Sequence, residues 1–289
     1  MKDAIFIALQ RIAPQHLISR AAGLLANSTT PLIKNTFIKW FVQRYKVDMS
    51  QAQEQNPLAY THFNAFFTRA LRAGARPICS DEGAIVCPAD GSISQLGRIE
   101  QGRIFQAKGQ SYSVLELLGG NHEAADLFAE GDFATVYLSP KDYHRVHMPF
   151  AGKLTQMTHV PGELFSVNTV TAAEVPRLFA RNERVVCHFD TAQGPMVVVL
   201  VGAMIVASIE TVWAGLVAPL RRAIRTTDYT GKKAGISLQK GEEMGRFLLG
   251  STAIVLFPKN TVAWEEGLRA TSAVQMGQRL GGLLAMDKP

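Results

Sequence analysis

Three short motifs of this sequence carry side chains that could act together in a reaction. Asp90 lies in CPADGS, His144 and His147 are three residues apart in SPKDYHRVHMP, and Gly250 precedes Ser251 in MGRFLLGSTAIVLF. Serine, histidine and aspartate supply a nucleophile, a general base and a group that orients the base. Each motif is weak by itself, because Asp-Gly, for example, is a common turn dipeptide. Together they predict nucleophilic catalysis.

The position of Ser251 indicates which bond it attacks. A serine hydrolase carries its nucleophile on a GxSxG elbow between a strand and a helix, whereas Ser251 precedes TAIVLF, which is typical of a buried strand. The nearest electrophile is then the carbonyl of Gly250, and glycine tolerates the bent backbone that such an attack needs. We therefore expect self-cleavage, with His147 removing the hydroxyl proton and Asp90 holding the imidazole in the right tautomer.

Self-cleavage of this kind predicts a new prosthetic group. The attack of Ser251 converts the peptide bond into an ester, and β-elimination followed by hydrolysis of the dehydroalanine leaves a pyruvoyl group on the new N-terminus. Two alternatives remain open at this point. One is a serine hydrolase that acts on lipids through Ser251, His147 and Asp90, and the other is a membrane-surface binding module with a degenerate site.

The two histidines need an element that aims both rings at one place. Ser139 and Pro140 form a helix-start signal ahead of them, so a short 3₁₀ turn is predicted there. Side chains three residues apart eclipse in such a turn, which would make His144 and His147 converge. A metal site would need a third ligand, and HExxH is absent. We predict no metal, because the other candidate ligands have no suitable spacing: His122, His159 and His188.

The elements around these motifs are predicted to be mostly strands. From about residue 84 the chain shows short β-branched and aromatic runs separated by Gly, Pro, Asn and Asp, which is the spacing of an antiparallel sheet. Helical patterns do not alternate with these strands, so a doubly wound parallel sheet is not favoured. A helical stripe covers residues 60–72, and residues 221–243 have the composition of a polar connection.

The predicted fold class is therefore α+β, with N-terminal amphipathic helices followed by a mostly antiparallel β catalytic domain. The expected boundary separates a helical, basic, membrane-associating region, residues 1–75, from a β-rich catalytic region, residues 76–289.

The excess positive charge lies in the first 46 residues. Of the 30 basic and 24 acidic residues of the chain, this segment holds seven and one, so the remainder is balanced at 23 of each. Basic amphipathic helices with aromatic residues lie well on anionic membrane surfaces, and packing on the domain behind is the alternative. Nucleic acid is not favoured, since no binding motif accompanies the charge. The apolar residues at helical spacing are Leu17, Ile18, Ala21, Leu24 and Leu25, then Ile33, Phe37, Trp40 and Phe41.

The composition places the protein inside the cell. Its three cysteines include no CxxC pair, so neither a disulfide framework nor a thiolate metal cage is indicated. The longest apolar stretch, residues 195–209, is shorter than the about 20 residues that a membrane helix needs. The N-terminus lacks the layout of a signal peptide. We expect a cytoplasmic protein.

The sequence resembles the bacterial phosphatidylserine decarboxylase proenzymes over nearly the whole chain. The family's LGST cleavage motif is intact at residues 249–252. The segments that carry the resemblance are, in order, YKVDM (45–49), FNAFFTRALR, PADGSISQLG (88–97), QAKGQSYS, YLSPKDYHRVHMP (137–149), VPGELFSVN (160–168), LFARNERV (178–185), ASIETVWAG (207–215) and KGEEMGRFLLGST (240–252).

The resemblance implies a role for each residue singled out above. Cleavage between Gly250 and Ser251 would give a β chain, residues 1–250, and an α chain, residues 251–289, that begins with a pyruvoyl group derived from Ser251. Asp90, His147 and Ser251 match the self-cleavage triad of the family. His144 matches the residue implicated in decarboxylation, where it would donate the proton.

The resemblance also implies the cofactor and the partners. Covalently bound pyruvate would form a Schiff base with phosphatidylserine and release phosphatidylethanolamine and carbon dioxide. The lipid substrate places the protein on the cytoplasmic face of the bacterial cell membrane as a peripheral protein on an anionic surface. The α and β chains would form a heterodimer, and further dimerisation is left open.

Overall fold

The protein is described by a computed structural model that covers residues 7, 10, 12–204, 208–218, 223–231, 235–248 and 251–284, with only the backbone of residue 251. Two longer helices precede all strands, and the remaining helices are short. Within the described ranges the complete helices are α1 Gln15–Ala26, α2 Pro31–Tyr45, α3 Phe63–Phe67, α4 Val114–Leu117, α5 His122–Phe128, α6 Thr169–Glu174 and α7 Leu178–Arg181.

Strands dominate the chain after α3. They are β1 Ala84–Val86, β2 Gly91–Arg98, β3 Arg103–Ala107, β4 Gln110–Ser113, β5 Asp132–Leu138, β6 Arg145–His147, β7 Gly152–Val160, β8 Arg184–Thr191, β9 Gly194–Val201, β10 Ile209–Thr211, β11 Gly215–Ala218, β12 Arg225–Asp228, β13 Ser237–Leu238, β14 Glu243–Phe247, β15 Ser251–Phe257, β16 Val262–Trp264, β17 Ala273–Val274 and β18 Arg279–Leu283.

One large sheet organises the molecule. Its strand order is β12-β7-β8-β9-β15-β5-β2-β17, and β13 also pairs with β7. A four-stranded sheet, β11-β10-β14-β6, and a three-stranded sheet, β1-β18-β16, lie apart from it. Each pairing between named strands is antiparallel. The predicted α+β class, with helices ahead of a mostly antiparallel β region, is confirmed.

The central strands are apolar without interruption because both faces of the large sheet are covered. Along β9, Val197 and Val199 belong to a core that includes the N-terminal helices, and Val198 and Leu200 belong to a second core shared with the smaller sheets. β15 alternates in the same way. Successive side chains of a strand point to opposite faces, so one run of valines supplies two cores.

The N-terminal helices share the first core and still expose apolar residues. Ile38 and Phe41 of α2 are buried, and α3 adds Phe63, Phe66 and Phe67. The helical region is therefore packed on the large sheet, while an apolar face remains uncovered. No helix in the described ranges is long and apolar enough to span a membrane. The exposed residues are Ile12, Leu17, Ile18, Leu24, Leu25, Leu32, Ile33 and Trp40.

Three local predictions differ from the structure. The segment before the histidines forms a turn at Pro140 and Lys141 and then the strand β6, and it does not form a 3₁₀ turn, because residues 145–147 pair with β14. The helix predicted at 60–72 ends at Phe67, since the chain beyond it pairs with Ala52. The polar stretch 221–243 contributes β12 and β13, which pair with β7.

Candidate active site

The predicted cleavage bond lies in a short connection between two sheets. β14 ends at Phe247 in the four-stranded sheet, and β15 begins at Ser251 in the large sheet. A second connection makes the reverse crossing, from Leu138 at the end of β5 to Arg145 at the start of β6. The two run side by side, because the Phe247 N–H donates to the His144 carbonyl oxygen at 3.0 Å and Ser251 pairs with Leu138.

Gly250 and the side chain of Ser251 lie outside the described residues, so the neighbouring elements define this site. Leu248 follows β14, and its N–H donates to the Ser208 carbonyl oxygen at 3.0 Å. From Thr252 onward, β15 is hydrogen-bonded to β5 on one side and to β9 on the other. Position 251 thus opens a central strand, which differs from the strand-to-helix elbow of a serine hydrolase.

Asp90 is placed by a close approach between two strands. A Cβ on Gly91 would lie 2.0 Å from the Tyr137 carbonyl oxygen, so only glycine lets β2 come this close to the end of β5. The Asp90 carboxylate accepts hydrogen bonds from Nε of Arg76 at 2.8 Å and from the Met276 N–H at 2.9 Å, and Nη2 of Arg76 binds its other oxygen. Both partners of this ion pair are largely buried.

His147 lies on β6 with both ring nitrogens in hydrogen bonds. Nδ1 is 2.8 Å from the Gly241 carbonyl oxygen, which can only accept, so Nδ1 carries the proton. Nε2 is then an acceptor, and the Tyr143 hydroxyl donates to it at 3.0 Å. Burial lowers the pKa of His147 below its ordinary value, against the opposing effect of the Gly241 bond. The ring is therefore neutral, the form that a general base requires.

His144 is fully buried in the connection that leads to β6. Its ring packs on Phe67 with 3.9 Å between centroids, and Nδ1 donates to the Asp142 carbonyl oxygen at 2.8 Å. Nε2 is buried and has no hydrogen-bond partner among the described residues. Burial lowers the pKa of His144 to about 3, so Nε2 holds an unprotonated lone pair at neutral pH. An orphaned acceptor of this kind is available to a ligand.

The structure brings Asp90, His144 and His147 to one region but not into direct contact with one another. Asp90 binds Arg76, and His147 binds Gly241 and Tyr143, so the expected hydrogen bond from the ring N–H to the Asp90 carboxylate is not formed. A correction follows: the carbonyl of Gly241 fixes the tautomer, because it occupies Nδ1. The rings of His144 and His147 pack on different aromatic residues and share no hydrogen-bond partner among the described residues.

The strand register also separates the two histidines. Phe247, which leads toward the cleavage bond, is bonded to His144, whereas His147 is paired with Glu243 at the other end of β14. Three residues of strand correspond to about 10 Å. The backbone of His144 is therefore the closer of the two to the connection that contains residues 249 and 250.

Three residues of this site were not identified from the sequence. Arg76 binds Asp90, Tyr143 binds His147, and the carbonyl of Gly241 orients the His147 ring. Tyr143 lies inside the histidine motif, so its position was a signal that could have been used. A backbone carbonyl has no side-chain signature, and Arg76 is 14 residues from Asp90 in the chain.

The surroundings suit a small carbonyl group attached at position 251. Thr252 is fully buried, and its hydroxyl has no hydrogen-bond partner in the part of the chain that the structure describes, so it can donate to a neighbouring carbonyl oxygen. The lone pair at His144 Nε2 is a second unused polar group. A cavity of about 600 Å³ lies beside the connection from β5 to β6, lined among others by Asp90, Ser139 and Asp142. These features fit a pyruvoyl group.

Comparison with known proteins gives one consistent result. A family model described as phosphatidylserine decarboxylase matches residues 63–282, and a model described as PSD matches residues 5–46. The chain is 64% identical over 282 residues to the phosphatidylserine decarboxylase proenzyme of Stutzerimonas stutzeri. These 282 residues cover 97% of this chain and 95% of that protein. The proenzyme of that name from Pseudomonas fluorescens strain Pf-5 is 62% identical over 282 residues, with coverages of 97% and 98%.

Proposed function

We propose, because this chain belongs to the phosphatidylserine decarboxylase family, that it converts phosphatidylserine to phosphatidylethanolamine and carbon dioxide. The proposal includes self-cleavage between Gly250 and Ser251 and a pyruvoyl group derived from Ser251. The observation that carries it is the pair of connections between the two sheets, one holding residues 249 and 250 and the other holding His144.

In the proposed cleavage, the Ser251 hydroxyl attacks the Gly250 carbonyl carbon. The bond from this carbon to the Ser251 nitrogen breaks, and an ester bond to the Ser251 side-chain oxygen replaces it. His147 takes the hydroxyl proton at Nε2, where the Tyr143 hydroxyl is bound in the structure, so Tyr143 must yield this position or pass the proton on. Asp90 supports the site through its negative charge, which favours the protonated form of His147. β-Elimination then releases residues 1–250 with a C-terminal carboxylate and leaves dehydroalanine at position 251, which water converts to the pyruvoyl group with release of ammonia.

The cleaved chains are expected to stay together. Residues 252–256 are hydrogen-bonded to β5 and β9, two strands of the β chain, and β18 pairs with β1. Separation would break these ladders and expose Val255 and Leu256, which are fully buried. A heterodimer of α and β chains therefore follows from the fold if the bond is cut.

In the decarboxylation step, His144 is proposed to move one proton. A pyruvoyl group supplies an electrophilic carbonyl that takes up the electron pair left when carbon dioxide departs. The substrate amine arrives as an ammonium ion and must lose a proton before it can act as a nucleophile. His144 Nε2 is proposed to accept that proton and, once protonated, to return it to the carbon that has lost carbon dioxide. The negative charges of the bound substrate must raise the pKa of the ring from about 3 for this transfer.

The N-terminal helices are proposed to hold the enzyme on the cytoplasmic face of the cell membrane. Leu24 and Leu32 are 78% and 79% exposed, and Trp40 is 51% exposed. Arg20, Lys39 and Arg44 are exposed on the same two helices. Apolar residues that enter the lipid and cations that contact anionic head groups are the combination expected of a peripheral membrane protein.

Intact-mass analysis tests the proposal. The purified wild-type protein should contain two chains, with the smaller one blocked at its N-terminus and reactive toward carbonyl reagents. Ser251→Ala should remain one chain and release no carbon dioxide from phosphatidylserine, because it lacks the attacking oxygen. Active wild-type protein that consists of one uncut chain with an ordinary serine would contradict the proposal and favour a lipid-directed serine hydrolase.

A further inference from the structure

One buried cation beside His144 forms no ion pair with any described side chain. Arg69, two residues after α3, is 4% exposed. Its Nη2 donates to the carbonyl oxygens of Lys141 at 3.0 Å and Asp142 at 3.4 Å. Nε and Nη1 are buried, and no described residue is a hydrogen-bond partner of either. Leaving the donors of a buried charged group unpaired is unfavourable, so such donors call for a ligand.

Arg69 opens onto a cavity whose other cations are already neutralised. The cavity has a volume of about 290 Å³, and Arg69, Arg145 and Arg246 contribute to its lining. Arg145 and Arg246 both form ion pairs with Glu243, at 2.8 Å and 3.1 Å. Among the described side chains, no carboxylate lies within ion-pair distance of Arg69. The one acidic residue of the lining is Glu54, which is exposed, so the cavity reaches the surface.

The cavity is linked to the proposed reaction centre through one carbonyl group. The Asp142 oxygen accepts from Nδ1 of His144 at 2.8 Å and from Nη2 of Arg69 at 3.4 Å. The guanidinium and the imidazole are therefore held side by side. The Arg69 side chain also packs over Phe66, with 5.7 Å from Cζ to the ring centroid. A ligand bound to Arg69 would thus lie next to a group that handles the substrate proton.

We propose that Arg69 binds the phosphodiester of the phospholipid head group through Nε and Nη1. This inference rests on the proposed function. A guanidinium presents two N–H groups in the geometry of two phosphate oxygens. The substrate carboxylate is the less suitable ligand, since its charge is lost from that group as carbon dioxide leaves. A cation on it would stabilise the ground state more than the transition state, whereas the phosphodiester keeps its charge throughout.

The test compares Arg69→Met with Arg72→Met, an exposed arginine three residues along the chain. Arg69→Met should bind the phosphodiester probe glycerophosphoethanolamine about 10- to 100-fold more weakly in an NMR titration, as expected for lost charge-assisted hydrogen bonds. Binding of serine, which has the carboxylate and amine without the phosphate, should be unchanged. Arg72→Met should match the wild type with both probes.

Kinetics give a second measurement on the processed enzyme. For short-chain phosphatidylserine, Arg69→Met should raise KM by a similar factor and leave kcat nearly constant, because the interaction is equal in ground and transition states. The NMR titration needs no turnover, so it tests this site separately from the proposed reaction. Weaker serine binding with unchanged glycerophosphoethanolamine binding, or no change for either probe, would overturn the assignment.

A wild-type measurement covers the case in which Arg69→Met does not fold. Arg69→Lys keeps the charge and loses the paired N–H groups. The Nε–H resonance that is missing from the NMR spectrum of this variant therefore belongs to Arg69. In the wild type that resonance should shift when glycerophosphoethanolamine is added and remain in place when serine is added. An Nε–H signal that does not respond to the phosphodiester would refute the proposal.

Discussion

At the residue scale, His144 and His147 differ in what their Nε2 atoms contact. Nε2 of His147 accepts a hydrogen bond from Tyr143, whereas Nε2 of His144 is buried and has no partner within the described ranges. Burial lowers the pKa of both rings, so both are neutral bases at pH 7. Only His144 has a lone pair available to an incoming substrate without displacement of a neighbour. This difference favours separate roles for the two residues.

Substitution of each histidine should separate cleavage from decarboxylation. His147→Ala should remain one uncut chain, because it lacks the proposed base for Ser251. His144→Ala should be cut into two chains but release carbon dioxide about 10²- to 10⁴-fold more slowly, the usual effect of losing a general acid or base. Intact mass reports cleavage, and release of carbon dioxide from phosphatidylserine reports turnover.

The control for this series is His122→Ala, since His122 is exposed on α5. It should be cut and active like the wild type. The reverse result, with His144→Ala uncut and His147→Ala cut, would show that the two roles are exchanged. The strand register makes this comparison necessary, because the His144 backbone lies nearer the cleavage connection.

The sequence identified Asp90, His144 and His147 because their residue types limit the chemistry available. It did not identify their hydrogen-bond partners, because these are set by tertiary contacts between distant segments. The carbonyl of Gly241 reaches His147 across 94 residues of chain. The ion pair of Asp90 likewise depends on how the segment before β1 packs on β2, which no local pattern encodes.

At the element scale, the N-terminal helices show why a periodic pattern alone was ambiguous. The packing alternative for the apolar stripe holds in part, since Phe41 of α2 is buried in the core, while Leu24 and Trp40 remain exposed and open to the proposed membrane contact. Helical spacing predicts that apolar residues share a face, but it does not state what covers that face. Removal of the first 46 residues would also uncover the core, so point substitutions are the better probe.

Substitution of the exposed apolar residues should weaken membrane binding without loss of the fold. The double variant Leu24→Ser, Trp40→Ser should bind vesicles of anionic phospholipid at least about tenfold more weakly, since it removes large apolar side chains that would enter the lipid. Vesicle sedimentation measures the binding, and the remaining affinity should fall further as salt is added, because ions screen the basic residues.

Leu127→Ser is the matched control, because Leu127 is also an exposed leucine, at 54%, but lies on α5 away from the N-terminal helices. It should bind vesicles like the wild type. Equal binding by the double variant and the wild type would place the membrane contact elsewhere on the protein.

The strand pairing of β6 shows why the local structure around the histidines was mispredicted. Ser139 and Pro140 are a sound helix-start signal, and the chain does turn at Pro140. The turn ends there because residues 145–147 gain ladder hydrogen bonds from β14, which lies about 100 residues further along the chain. Strand pairing between distant segments thus outweighed the local preference for a helical turn. In contrast, β9 and β15 were predictable, because an apolar run of this kind is typical of a strand that is buried on both faces of a sheet.

At the scale of the whole molecule, several buried histidines make folding depend on pH. Burial lowers the pKa of His144 to about 3 and that of His188 to about 4, and it also lowers the pKa of His147. In the unfolded chain each titrates near its ordinary value of about 6.5. Below that value the unfolded state binds more protons than the folded state, so stability falls as the pH falls. Asp132 acts in the opposite direction, since burial raises its pKa to about 6.

The contribution of one histidine can be isolated with His188→Gln, because His188 lies on β8, outside the proposed site, and its Nε2 has no partner. In the wild type this residue should remove up to about 3 kcal/mol of the unfolding free energy between about pH 6.5 and pH 4, since a tenfold change in a protonation equilibrium corresponds to about 1.4 kcal/mol. Urea unfolding in the Ser251→Ala background keeps one continuous chain, so the transition is not complicated by chain separation.

The variant should lose stability less steeply than its parent below about pH 6.5, and the two should have the same slope above about pH 7. Parallel curves across the whole range would mean that His188 is protonated in the folded protein, and the acid sensitivity would then have to come from His144 and His147.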